Sequence, residues 1–232
     1  MMKTDFFKPQ IRDFASKIFK ATEQLSTDRK KLLTEAATNM NTLLADYSVA
    51  NLLFVCTHNS RRSQFAQAWA YVAADFYGLQ EVSTHSCGTE TTACNIRTVE
   101  SLRRVGMQLT EVEQSESSPP ASAAALANPH YEATYRHGNA KTANDGKSSN
   151  LVLFSKAFGH PSLPTENILA MMCCSDADEK CPVVPGAAHR IALHYVDPKQ
   201  ADDTPQQAET YDARSLQIAS EMFFMIQQVR VG

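Results

Sequence analysis

The chain has no excess of positive charge. Across its 232 residues, 22 Lys and Arg stand against 25 Asp and Glu, a formal charge of -3. That excludes the basic footprint that holds a nucleic-acid duplex or an anionic bilayer, so neither nucleic acid nor membrane is expected as a partner. Long apolar runs are missing too. The best, Ile168 to Cys174, has seven residues, where a membrane-spanning helix needs ~20. Met1 to Gln10 carries Lys, Asp and Pro in place of the apolar core of a secretory signal. Cysteine is scarce and unevenly spaced: Cys56 is alone, Cys87 and Cys94 lie near each other, and Cys173, Cys174 and Cys181 cluster. Six thiols so placed do not make a disulfide-stapled scaffold. These absences predict a reduced, cytoplasmic protein in which most thiols act as small hydrophobes.

What is present allows a substantial core, with 43% hydrophobic and 20% charged residues. The first 48 residues read as two helices. One apolar stripe comprises Phe6, Ile11, Phe14, Ile18 and Phe19; the second comprises Leu32, Leu33, Ala36, Met40, Leu43 and Leu44. Ser26-Thr27-Asp28 between them supplies capping side chains. No chemistry is legible there, and packing on the core or a homodimer contact through these helices is expected. At Asn51 the pattern changes. Leu52 to Val55 is a continuous apolar run, as in a strand buried on both faces of a parallel sheet. A polar loop, Thr57 to Ser63, separates it from a helix over about 64–77 that Gly78 ends. Strand, short loop, helix opens an open α/β sheet, whose ligand crevice lies at the carboxyl ends of its strands.

A strand near 82–86 and a helix over about 95–105 follow. Thr110 to about Asn128 reads as a surface loop, and Tyr131 and Tyr135 face Leu151, Leu153 and Phe154 across a turn-rich stretch, which predicts an inserted β-hairpin. A buried strand at Ile168 to Cys173, the polar segment Ser175 to Lys180 and a last helix over about 210–229 complete the pattern. It is α/β with an N-terminal helical extension.

The segment Cys56-Thr57-His58-Asn59-Ser60-Arg61-Arg62-Ser63 has physical consequences. A loop between a buried strand and a helix N-terminus can aim several backbone N–H groups at one point, where the helix dipole adds positive potential. A tetrahedral oxyanion suits that arrangement. Cys56 at the strand end would lie beneath it as a thiolate. Arg62 can fold back to grip two oxygens with its planar guanidinium, Ser63 can donate to the thiolate, and Asn59 can brace the loop.

Val55 to Gln67 resembles the phosphate-binding loop of the low-molecular-weight protein tyrosine phosphatase superfamily, which includes the thioredoxin-coupled arsenate reductases. The resemblance implies a three-layer open parallel sheet in flavodoxin-like order over residues 49–232, with an insertion at about 110–150 and residues 1–48 outside it as a helical extension. It makes Cys56 the nucleophile, Arg62 the oxyanion clamp, Ser63 the thiolate-stabilising hydroxyl, and Thr57, His58, Asn59, Ser60, Arg61 and Arg62 the oxyanion-binding loop. Arg61 departs from the reductases, which usually have a second Cys there. Gln67 replaces a Glu that helps bind potassium in some members, so no metal is expected.

Tyr195-Val196-Asp197-Pro198 resembles the loop that carries the superfamily's general acid, which makes Asp197 the proton donor to the departing oxygen. Lys199 stands where tyrosine phosphatases usually have an aromatic residue, which weakens a phosphotyrosine reading. Cys174-Ser175-Asp176-Ala177-Asp178-Glu179-Lys180-Cys181-Pro182 resembles the relay segment of the arsenate reductases. The resemblance implies a Cys174/Cys181 disulfide relay, no bound cofactor, and an external thioredoxin-like reductant. A phosphatase acting on a phosphomonoester is the alternative, and a non-catalytic oxyanion-binding module a third reading. A zinc site of Cys174, Cys181 and His189 is disfavoured by the wide Cys spacing. If 174–181 is helical, its terminal Cα atoms stand ~10 Å apart, beyond the ~4.4–6.8 Å of a disulfide, so oxidation must reorganise the segment.

Overall fold

The computed structural model describes residues 9–112, 128–135 and 151–230. Two helices open the chain, α1 (Pro9–Glu23) and α2 (Thr27–Tyr47). The Ser26 side chain caps α2 by accepting from the Arg29 N–H, and Ser48 closes it in the left-handed region. The first predicted stripe is buried from Ile11 through Ile18 and the second at Leu33, Ala36, Met40, Leu43 and Leu44; Phe6 lies outside the described residues. Both stripes face this chain's own body. Phe14 stacks on Trp69 with ring centroids 5.1 Å apart, and Phe19 meets Phe76 and Phe223.

Strand β1 (Ala50–Cys56) is followed by α3 (Arg62–Tyr77), β2 (Val82–Gly88), α4 (Ile96–Arg104) and β3 (Gln108–Val112). Then come β4 (His130–Thr134), β5 (Leu151–Leu153), β6 (Ile168–Met172), the short α5 (Ser175–Lys180), β7 (Ala187–Ala192), a 3-10 turn (Pro198–Ala201) and α6 (Gln207–Ile226). The main sheet is ordered β2-β1-β6-β7, and all three pairings are parallel. Helices lie on both of its sides, which is why Leu52 to Val55 and all of β6 are buried on both faces. This is the expected α/β architecture. The carboxyl ends of the two central strands, β1 and β6, deliver Cys56 and Cys173-Cys174 to one edge of the sheet.

The predicted hairpin exists, as antiparallel β4 and β5. It belongs to a separate three-stranded sheet with β3, so Thr110 to Val112 are strand rather than the start of a loop. Alternate exposure of Gln108, Thr110 and Glu111 around a buried Leu109 had masked it. Residues 113–127 and 138–149, read as loop and turn, lie outside the described residues. Strand β7 was not foreseen; its burial is patchy, as befits an edge strand.

Trp69 is fully buried, its indole N–H donating to Ser215 Oγ at 2.9 Å, and Phe14 covers it. Phe14→Ala is therefore expected to cost about 3 kcal/mol of stability by removing a buried ring from a packed interface. A urea denaturation series measures it; an effect under ~0.5 kcal/mol would mean that α1 contributes little to this core.

Candidate active site

The loop between β1 and α3 turns its carbonyls away from Cys56. The Cys56 carbonyl accepts from the Thr89 N–H, Thr57 from Glu90, and Ser60 from Asn95. Ser155 Oγ and Thr92 Oγ1 donate to the His58 carbonyl, and Gln64 Nε2 donates to that of Asn59 at 2.8 Å. With the oxygens held outward, the N–H groups face inward. No amide from Thr57 to Arg62 donates to another described residue. Six backbone donors at the N-terminus of a four-turn helix make a nest for an anion, reinforced by the helix dipole.

Asn59 fixes this shape. It is fully buried and takes a left-handed backbone (φ 45°), a conformation that Asn tolerates better than most residues. Its Oδ1 accepts from the Lys156 N–H at 2.9 Å, and its Nδ2 donates to Ser63 Oγ at 2.8 Å. Ser63 Oγ lies 3.0 Å from Cys56 Sγ. Since Asn59 occupies an acceptor position of the hydroxyl, the Ser63 proton is free to point at the sulfur. Cys56 itself is 3% exposed, at the floor of the loop.

Gly88, at the end of β2, lets the loop lie so close. A Cβ there would stand 2.6 Å from the Thr57 carbonyl oxygen and 2.8 Å from the Asn59 nitrogen. Its N–H donates to the Lys156 carbonyl.

Arg62, in the first turn of α3, is turned inward. Its Nη2 pairs with Asp197 Oδ2 at 2.8 Å, and its Nη1 donates to the Tyr195 carbonyl at 3.2 Å. Its Nε is buried with no partner among the described residues. Asp197 also caps the 3-10 turn, accepting from the Lys199 N–H through Oδ1. The loop's other cation points elsewhere: Arg61 donates to Tyr211 Oη at 2.6 Å and to Asp202 Oδ2 at 3.0 Å, so its side chain ties the loop to α6. His58 is half exposed at the rim, 3.4 Å from Glu90.

Cys174 is buried, and its Sγ stands 3.5 Å from Thr57 Oγ1, on the loop that begins at Cys56. Cys181 closes α5 and is partly exposed. The segment between them is helical from Ser175 to Lys180, the condition under which a Cys174–Cys181 disulfide is expected to require reorganisation. Only Ala177 of α5 is buried. Asp178 tethers the helix, pairing with Arg190 and with His194 Nε2 (2.9 Å), while Arg190 also donates to the Cys181 carbonyl. Cys173 is fully buried, and desolvation pushes its thiol well above the usual range; Cys87 behaves likewise. Gln67 is spent on Ser86 and Thr84.

Sequence reasoning missed Lys156. It follows the hairpin with no motif to mark it, yet it is 3% exposed, its Nζ 3.9 Å from the Phe154 ring centre and bonded to the Phe154 carbonyl. Burial lowers its amine to about 8.

Strand, amide nest, buried thiol and inward arginine come together in an arrangement whose geometry can accommodate a tetrahedral oxyanion over Cys56. Residues 51–159 match the model of the family "low molecular weight phosphotyrosine protein phosphatase", a match that includes the Val55 to Gln67 loop. A search of the curated proteins finds no match. Among solved structures, a YwlE mutant from Bacillus subtilis is 13% identical, with TM-score 0.46, over 77% of this chain and 97% of its own. A low molecular weight phosphotyrosine phosphatase from Vibrio cholerae O395 is 13% identical (TM-score 0.45; 77% and 95%). A low molecular weight protein tyrosine phosphatase from T. tengcongensis is 12% identical (TM-score 0.46; 78% and 99%).

Two outcomes test this geometry. Gly88→Ala should weaken phosphate binding more than tenfold, measured by calorimetry, because the added methyl displaces the loop; unchanged affinity would show that Gly88 does not set its shape. Lys156 binds fewer protons folded than unfolded between about pH 8 and 10.5, so its burial penalty is greatest below pH 8 and fades as pH rises. The stability advantage of Lys156→Met over the native chain should therefore shrink between pH 7 and pH 10 in urea titrations; a constant difference would mean that the amine is not desolvated.

Proposed function

We propose that this chain reduces arsenate to arsenite, using Cys56 as nucleophile and Cys174 and Cys181 as a disulfide relay to an external thioredoxin-like dithiol. The observation that carries the reading is the position of Cys174, packed on Thr57 at the edge of the oxyanion loop, with a second thiol one short helix away. A phosphatase needs neither.

The geometry supports the following steps. Arsenate enters the amide nest and takes Arg62 from Asp197, which gains a proton. Cys56 attacks arsenic while Asp197 protonates the departing oxygen, which leaves as water. The Cys174 thiolate then attacks the Cys56 sulfur. The S–As bonding pair stays on arsenic, reducing As(V) to As(III), and a Cys56–Cys174 disulfide remains. Cys181 attacks Cys174 and frees Cys56, and the external dithiol reduces the Cys174–Cys181 bond. No cofactor is bound in this scheme.

The family match favours a second reading, hydrolysis of a phosphomonoester by the same Cys56, Arg62 and Asp197 through a phosphocysteine that water resolves. Lys199 after Asp197-Pro198 provides no ring to stack on phosphotyrosine.

Arsenate with thioredoxin, thioredoxin reductase and NADPH separates the two. Arsenate-dependent NADPH oxidation is expected, with Cys181→Ser halting after one turnover and Cys56→Ser inactive. Asp197→Asn should slow the first step about 100-fold. If NADPH is not consumed, while p-nitrophenyl phosphate is hydrolysed at the same rate by the native chain and Cys181→Ser, the phosphatase reading replaces the first.

A further inference from the structure

The segment 194–197, which carries Asp197, is held from two sides. From the loop side, Arg62 donates to the Tyr195 carbonyl and pairs with Asp197. The other side is Arg29, three residues beyond the cap of α2. Its Nη2 donates to the His194 carbonyl (3.3 Å) and to Glu221 Oε2 (2.8 Å), and its guanidinium carbon lies 4.9 Å from the centre of the Tyr195 ring. Glu221 is 1% exposed and takes a second bond from Gln217. Arg29 is thus a rigid fork seated on α6, planar and always charged. Val196, between the clamped residue and Asp197, is 57% exposed. The Tyr195 N–H donates to the Cys173 carbonyl, which ties the same point to the end of β6.

From these contacts we infer that Arg29 is a positioning residue for the acid-bearing segment, and that the N-terminal helices complete the active site as well as covering the core. The inference rests on the proposed role of Asp197. It assigns a task to a region outside the segment that matches the family model. Arg29 touches neither the oxyanion loop nor Asp197. Through Tyr195 it sets the distance of Asp197 from Arg62, and so the alignment of the acid with the departing oxygen, to which rates are highly sensitive. The amide nest is built from other contacts, so oxyanion affinity is expected to depend on Arg29 far less than the rate does.

The expected signature is a split between rate and affinity. Arg29→Met should lower the turnover rate, read as arsenate-dependent NADPH oxidation and as p-nitrophenyl phosphate hydrolysis, about tenfold or more. Phosphate affinity, measured by calorimetry, should stay within twofold of the native value. Arg29→Lys should recover at least part of the rate. Because Arg29→Met leaves the buried Glu221 carboxylate without its cation, Arg29→Met/Glu221→Gln is measured beside it; it should fold, bind phosphate normally and stay slow. If rate and affinity fall together, or the double variant turns over at the native rate, the inference is overturned. A native chain that turns over neither substrate would instead refute the functional reading, and the inference with it.

Discussion

The site depends on the outward orientation of five consecutive carbonyls. A peptide group cannot present its oxygen and its N–H in the same direction, so every carbonyl from Cys56 to Ser60 that bonds away from the centre aims its partner amide toward it. Partners for those oxygens come from the end of β2, the start of α4, the residues after β5, and Gln64 of α3 itself. The inward set of amides is therefore a by-product of satisfied carbonyls. That is why its shape is preorganised and independent of any one charged side chain. Loss of a single carbonyl partner costs about 1 kcal/mol by itself, but it also frees one peptide unit to rotate its donor out of the nest.

Asn59, Ser63 and Cys56 form a polarised line through this loop. The amide of Asn59 fills the Ser63 acceptor, which directs the hydroxyl proton onto sulfur. The Asn59 side-chain Oδ1 in turn accepts from the Lys156 N–H, and the Lys156 carbonyl accepts from the Gly88 N–H. Residues from three distant parts of the chain thereby fix one hydroxyl.

Much of this was legible in the sequence, for reasons that can be named. Leu52 to Val55 reads as a central strand because burial on both faces leaves no room for polar alternation. The order Cys56, Asn59, Arg62, Ser63 is legible because every participant lies within eight residues. Asn95 and Gly78 mark helix ends by local backbone chemistry. What escaped is what local pattern cannot encode. Strand β7 reads Ala187-Ala188-His189-Arg190-Ile191-Ala192, with little apolar signal because it lies at the sheet edge and lends Arg190 to α5. Lys156 looks like any surface lysine until the hairpin folds over it. Arg61 resembles a ligand-facing cation by its place in the loop, yet its partners, Tyr211 and Asp202, are 150 and 141 positions away. Arg29 reaches Glu221 across 192.

Helix α5 is where structural stability and the proposed chemistry oppose each other, and the magnitudes decide whether that opposition matters. A helix of six residues is far below the length that sustains itself in water, and it buries one alanine. Its tether, Asp178 between Arg190 and His194, is partly solvent-exposed, and such pairs contribute roughly 0–1 kcal/mol each. Unwinding α5 thus costs about 1–3 kcal/mol. For a two-electron thiol–disulfide couple that corresponds to roughly 20–65 mV of reduction potential, at about 30 mV per 1.4 kcal/mol. A penalty of that size leaves the outer disulfide accessible yet less stable than it would be in an unconstrained segment. On the proposed reading that sign is useful: rewinding of α5 favours the reduced pair, so the helix assists the final transfer of electrons from an external dithiol.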